Sequence, residues 1–181
     1  MTSAAPAPAA TRGLSALLHA VRAVVREGRD WQQTAELVAG QVRLHLPGPD
    51  ILSPAQRAGH PAGYTSHLLH TEPGGSFSVL AVVWLPGQVT PVHDHVAWCV
   101  FGVIQGSERE ELFTIADNGR RLVPAGSNWN SVGEVGGFAP PGDIHRVRNP
   151  GSGVTISLHV YGADISRLGS SVRREYHLPI G

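Results

Sequence analysis

The sequence predicts an all-β core, a barrel or sandwich with helices packed outside it. Three observations point there. Apolar residues keep helical spacing only as far as Leu44, and from Tyr64 the period changes to that of strands. From there on, short strand-like runs follow one another with turn signals between them and no helices alternating with them. The chain of 181 residues also carries 22 Gly and 14 Pro, which suits a turn-rich β protein.

Met1 to Arg12 is rich in Ala and Pro, lacks the basic and apolar regions of a signal peptide, and is expected to be a disordered tail, so that residues 13–181 form one domain. Ser15 to Glu27 places Leu17, Leu18, Val21, Val24 and Val25 at helical spacing, and Gly28 stops it. Asp30 can cap a second helix whose buried side is expected to hold Leu37, Val38, Val42 and Leu44; Pro47-Gly48-Pro49 ends it. Pro54 to Gly63 is expected to be loop. Tyr64–His70 and Ser76–Leu85 flank the turn Glu72-Pro73-Gly74-Gly75 and make a hairpin. Val96–Ile104 and Arg109–Ile115 follow, the latter closed by Asp117-Asn118-Gly119. Gly133–Ala139, Ile144–Asn149 and Val154–Val160 complete the strands, and Asp164 to Gly181 reads as a polar tail.

Composition narrows the function classes. Fourteen acidic residues balance fourteen basic ones, all arginine, so neither nucleic acid nor an anionic membrane is implied as partner. An apolar share of 41% is enough for a proper core, and no stretch approaches the length of a membrane span. The single cysteine rules out an internal disulfide and suits a reducing, cytoplasmic setting.

The chemistry-bearing stretch runs from Gly87 to Gly106, where a Gly-Gln-Val-Thr-Pro turn feeds a strand with His93 and His95. Side chains alternate along a strand, so the two imidazoles share a face and can chelate one metal ion; Cys99 has the same parity. A second cluster, Pro140-Pro141-Gly142-Asp143-Ile144-His145 to Asn149, follows about fifty residues on. Ser157, His159 and Tyr161 share one face of a later strand and can be hydrogen-bonded in series.

The two clusters together resemble the paired motifs of the cupin superfamily. The first has the form Gly-x5-His-x-His-x3-4-Glu-x6-Gly, with every spacing met. The second has the form Gly-x5-Pro-x-Gly-x2-His-x3-Asn and is met except for its leading glycine, where Glu134 stands. The resemblance implies a double-stranded β-helix, a jelly-roll barrel, with a metal on His93, His95 and His145. The Glu of the first motif is replaced by Cys99. That replacement, the Ser157-x-His159-x-Tyr161 triplet and Tyr64-Thr65 are similar to the thiol dioxygenases of the cysteine dioxygenase family, with the run Trp84 to Trp98 and Tyr161 to Asp164 closer to the branch that oxidises 3-mercaptopropionate. The resemblance implies Fe(II), a small thiol and O2, a phenol of Tyr161 that ends at the iron, and a possible thioether between Cys99 and Tyr161. Spacing alone equally admits zinc, manganese, nickel or copper.

A thiol acid also needs a partner for its carboxylate, and an arginine fork is the usual one. The family's arginine two residues after the Tyr64 equivalent is Ser66 here, so Arg167, or failing it Arg173, is the expected anchor. The resulting expectation is an iron-dependent dioxygenase taking 3-mercaptopropionate or cysteine to its sulfinate. The alternatives are another metal-dependent cupin enzyme acting on a non-thiol acid, and a non-catalytic cupin that binds a small molecule.

Overall fold

The computed structural model describes residues 9–181, with side-chain surroundings from residue 13 onward. Helix α1 spans Ala9–Val25, so the last four residues of the expected tail are helical; residues 1–8 lie outside the described residues. Its buried stripe is Leu17, Val21 and Val24, with Leu18 and Val25 packed at the margin. Helix α2, Trp31–His45, starts as expected at Asp30, whose carboxylate accepts a hydrogen bond from the Gln33 amide at 2.8 Å. Its buried side is corrected: Thr34, Ala35, Val38, Ala39 and Val42 are covered, whereas Leu37 and Leu44 are 40% and 74% exposed. The stripe through Val38 and Val42 at helical period passes through positions 35 and 39, which small residues fill. A short helix α3, Pro54–Arg57, lies within the expected loop, closed by a capping box between Ser53 and Gln56. No described helix is long and apolar enough to cross a membrane.

Ten strands form two five-stranded antiparallel sheets. In chain order they are β1 Thr65–Thr71, β2 Ser78–Trp84, β3 His93–His95, β4 Cys99–Gln105, β5 Ser107–Ala116, β6 Arg121–Ser131, β7 Val135–Phe138, β8 His145–Arg148, β9 Thr155–Tyr161 and β10 Val172–Glu175. The first sheet has the order β1-β2-β9-β4-β7 and the second β10-β3-β8-β5-β6. Apart from the β1–β2 and β5–β6 hairpins, strands adjacent in the chain alternate between the sheets, as in the double-stranded barrel that the motifs imply.

The middle of the first sheet is buried on both faces, which is why β2 reads Ser-Val-Leu-Ala-Val-Val-Trp without polar alternation. Val79, Ala81, Val83, Val100, Ile156, Leu158 and Val160 face α1 and α2 in the main core. Leu80, Val82, Trp84, Phe101, His159 and Tyr161 face the space between the sheets. Gly102 in β4 lets α2 approach, since a Cβ there would stand 2.6 Å from Leu46 Cδ1 and 3.2 Å from Val42 Cγ1. At the other end of β4, Gly106 turns the chain at φ +72, which glycine adopts without strain.

Two strands depart from the expectation. β6 was not anticipated: Pro124 and Gly126 interrupt it and nearly all its side chains are exposed, as suits an edge strand whose strand partner is β5, with one further bridge from Leu122 to Ile180. β10 lies within the expected polar tail. It pairs with β3, setting Val172 opposite His95 and Glu175 opposite His93. Tyr176 beyond it is buried with Val92, Phe113, Leu122 and Ile144.

Candidate metal centre

β3 and β8 are neighbours, with His93 directly opposite His145, and His95 projects on the same side as His93. Potential ligand atoms of His93, His95 and His145 all lie within 4.8 Å of one another, and all three residues are buried. Their ring centroids are 4.7–5.0 Å apart.

Each ring is turned by an acceptor behind it. Nδ1 of His93 donates to the Pro91 carbonyl at 3.0 Å, that of His95 to Asp143 at 3.1 Å, and that of His145 to Glu110 at 2.7 Å. The acceptors are a carbonyl and two carboxylates, so each ring donates from Nδ1 and turns Nε2 toward the centre. His145 Nε2 is buried without a hydrogen-bond partner, which a bound metal ion would relieve. Burial, then repulsion from the other two rings, pushes His93 down to about 3; burial likewise lowers His95. Burial raises the Asp143 and Glu110 carboxyls, but hydrogen bonds from His95 and His145 outweigh it and leave both below their ordinary values. Three imidazoles, two of them backed by carboxylates, therefore fit a divalent ion. Among the described residues no carboxylate joins this cluster; Glu110 holds the far side of His145, and Glu111 pairs outward with Arg146 at 2.9 Å.

Ser157, His159 and Tyr161 project from β9 into the space between the sheets. Ser157 Oγ lies 2.9 Å from His159 Nε2, and His159 Nδ1 lies 3.2 Å from the Tyr161 hydroxyl. Trp84 donates its indole N–H to Ser157 Oγ at 3.3 Å. Burial, then the neighbouring histidines, lowers His159 to about 3, so its ring is neutral. Burial raises the Tyr161 phenol well above its ordinary range, so it keeps its hydrogen. Cys99 is opposite Tyr161 in the β4–β9 register, with Sγ 3.9 Å from His159 Nδ1, and burial raises its thiol. Trp98 points the other way, into the helix-side core.

The three histidines of the centre line a cavity of about 170 Å³ together with Trp84, His159 and Tyr161. At ~30 Å³ of liquid per water, that is room for a handful of non-hydrogen atoms. Phe138 and Leu80 supply apolar wall, and Tyr64, Ser66, Ser170 and Ser171 supply hydroxyls. Tyr64 packs on Trp84 with ring centroids 4.6 Å apart.

The expected carboxylate anchors are not brought to it. Arg167 lies on helix α4, Ile165–Leu168, with its side chain exposed. Arg173 lies on β10 and its guanidinium pairs with Asp94. Asp94 has opposite parity to His93 and His95, and Tyr176 also donates to it at 2.8 Å, so the pair sits on the far side of β3 from the centre. Among the described residues the cavity lining holds no arginine. Glu108, which sequence reasoning passed over, does line it, 1% exposed. Its signal was available in the parity it shares with Glu110, but a run of four charges in five residues reads first as a solvated face.

Residues 58–170 match the family model described as cysteine dioxygenase type I. Among solved structures, oxalate oxidase in complex with glycolate is 22% identical at a TM-score of 0.47, over 58% of this chain and 53% of that one. This chain thus spans about half the length of the oxalate oxidase chain. A cupin 2 conserved barrel domain protein from Salinispora arenicola CNS-205 is 18% identical at 0.46, over 65% and 94%. A double-stranded beta-helix domain protein from Klebsiella pneumoniae subsp. pneumoniae MGH 78578 is 17% identical at 0.45, over 58% and 81%.

Proposed function

The chain belongs to the cysteine dioxygenase type I family, and from that premise we propose that it is an iron-dependent dioxygenase that oxidises a small thiol, 3-mercaptopropionate or cysteine, to its sulfinate with O2. The balance is R–SH + O2 → R–SO2H, with both oxygen atoms ending on sulfur. The observation that carries the reading is the convergence of three buried imidazoles, without a carboxylate, on a small cavity that Tyr161 also borders.

His93, His95 and His145 would hold the iron. When bound, the iron supplies open coordination positions and the electrons that activate O2. The chain's own residues do the rest. Glu110, Asp143 and the Pro91 carbonyl keep the three rings in the ligating tautomer. The Tyr161 hydroxyl, steadied by His159, is available as a hydrogen-bond donor to the reacting groups. Phe138 and Leu80 limit water around the sulfur, and the small volume admits a thiol of few atoms. A substrate carboxylate would meet the hydroxyls of Tyr64, Ser66, Ser170 and Ser171 instead of a guanidinium.

The test is oxygen uptake by the iron-loaded protein across cysteine, 3-mercaptopropionate, cysteamine and mercaptosuccinate, with the product identified. One O2 consumed per sulfinate formed on at least one thiol supports the reading. No uptake on any of the four, with iron bound, overturns it.

A further inference from the structure

Glu108 is a buried carboxyl that neither metal ligation nor the Ser157–His159–Tyr161 series accounts for. It is 1% exposed, lines the cavity, and has Oε2 buried without a hydrogen-bond partner. We propose that Glu108 is a positioning residue whose carboxyl O–H fills the second lone pair of Ser157 and thereby fixes the direction of the hydrogen-bond chain, so that the Tyr161 hydrogen points into the cavity. This rests on the reading of Tyr161 as a donor to the reacting groups.

Ser157 Oγ has one hydrogen and two lone pairs. Trp84 Nε1 is a donor only, so the indole contact at 3.3 Å occupies one lone pair. Two groups remain to be placed around it, His159 Nε2 at 2.9 Å and the neighbouring Glu108 carboxyl, whose pKa the Ser157 hydroxyl lowers and whose buried Oε2 has no other partner. If Glu108 donates, both lone pairs are filled and Ser157 must donate to His159 Nε2. The one hydrogen of the neutral His159 ring then sits on Nδ1 and goes to the Tyr161 oxygen, 3.2 Å away. The phenol hydrogen is left free for the cavity. If Glu108 is ionised, every bond reverses: Ser157 donates to the carboxylate, His159 Nε2–H to Ser157, and Tyr161 to His159 Nδ1. The phenol hydrogen is then turned away from the site.

Three features favour the donating form. The cavity lining offers no arginine to stabilise the anion. Burial pushes the Glu108 carboxyl up to about 8; Ser157 lowers it somewhat and Glu110 raises it. The titratable groups around this space are Glu110 on β5, His93 and His95 on β3, Cys99 on β4, His145 on β8, His159 and Tyr161 on β9, and Tyr64 ahead of β1. His93, His95 and His159 are held below their ordinary values by burial, and so give Glu108 no cation near neutral pH.

The tautomer of His159 reads the direction of the chain and needs neither iron nor thiol turnover. The full chain, iron-free and labelled with 15N-histidine, is followed by long-range 1H–15N NMR, with the His159 signals assigned by their loss in His159→Gln. The expected result is Nδ1–H at about pH 6, passing to Nε2–H as the pH is raised to about 10. Glu108→Gln, whose amide donates but cannot ionise, should hold Nδ1–H over the whole range. A wild-type tautomer that ignores pH, or Nε2–H already at about pH 6, overturns the proposal. So does Glu108→Gln switching with pH as the wild type does. In the iron-loaded enzyme kcat should fall in alkali as Glu108 ionises, and that fall should vanish in Glu108→Gln. Absence of thiol oxidation would sink the proposed activity while leaving the tautomer result to stand or fall by itself.

Discussion

The two faces of the first sheet are built from alternate residues of the same three strands and do opposite work. Toward the helices, β9 presents Ile156, Leu158 and Val160, each 0% exposed. Toward the cavity it presents Ser157, His159 and Tyr161, joined in series. The helix-side groups gain about 1.5–3 kcal/mol each by leaving water. Burying the cavity-side groups is costly unless they are paired, and here they are paired with one another and with Trp84. The polar face is sustained by the apolar one: with α1 and α2 covering one side, the sheet can hold unfavourable groups on the other at fixed spacing.

The largest effect expected from breaking this division is on metal binding. His93 is held only by the Pro91 carbonyl, so His93→Ala orphans no buried carboxylate, unlike a change at His95 or His145. Iron affinity should fall by more than the ~10–100-fold typical of losing a supporting group behind a ligand, with little loss of fold. Metal content after dialysis and a urea melt separate the two. A variant that still binds one iron per chain would remove His93 from the centre.

Next comes the contrast between neighbours. Leu158→Ala empties space in the helix-side core and should cost about 2–5 kcal/mol of stability, while the KM for thiol stays near wild type. His159→Gln should reverse the pattern, lowering kcat roughly 100-fold with a small change in stability. Urea midpoints and steady-state rates on the same two proteins decide it. Equal losses of stability would show that the two faces are not separable.

A smaller effect concerns Cys99 and Tyr161, which stand opposite each other across β4 and β9. If turnover joins Sγ to the phenol ring, S–H and C–H are lost, an S–C bond forms, and two electrons and two protons pass to O2. Intact mass after aerobic turnover with iron should fall by about two hydrogens from its value before turnover, a loss that Cys99→Ser treated alike should not show. An unchanged mass leaves Cys99 as a small buried hydrophobe.

What was legible in the sequence follows the same division. Strand parity alone put His93 with His95, and Ser157 with His159 and Tyr161, because a period of two is a local property that survives without knowledge of the fold. Trp98 was sent to the opposite face by the same rule and packs there. Edge strands were harder. β6 carries Pro124 and Gly126 and faces water, and β10 is Val-Arg-Arg-Glu, so neither shows the apolar signature of a strand; each is held by backbone pairing to a neighbour that the sequence does not name. Leu37 and Leu44 misled because a leucine signals burial in general, whereas the α2 face is chosen by close approach to Gly102. Glu108 was missed for the converse reason: a glutamate beside other charges signals solvent, and only the closing of β5 over the cavity buries it.

The smallest expected effect is at the two arginines, and it tests how the cavity takes a carboxylate. Arg167 is exposed, with no cavity contact, so Arg167→Ala should leave the KM for 3-mercaptopropionate within about twofold of wild type. Arg173 is different, because its partner Asp94 is buried and also receives the Tyr176 hydroxyl. Burial raises that carboxyl, and the Arg173 and Tyr176 hydrogen bonds more than offset it, leaving Asp94 below its ordinary value. Arg173→Ala should therefore loosen β10 against β3 and lower stability modestly, since the Arg173 side chain is itself 54% exposed and its charge is screened. The stability that this pair adds is present above the ordinary carboxylate pKa and is lost as pH falls through the lowered value, so the Arg173→Ala deficit should shrink in acid. Because Val172 on the same strand lines the cavity, KM would shift alike for 3-mercaptopropionate and cysteamine if Arg173 acts through the strand. A rise in KM confined to the thiol acid would instead mean that the guanidinium leaves Asp94 to meet the substrate.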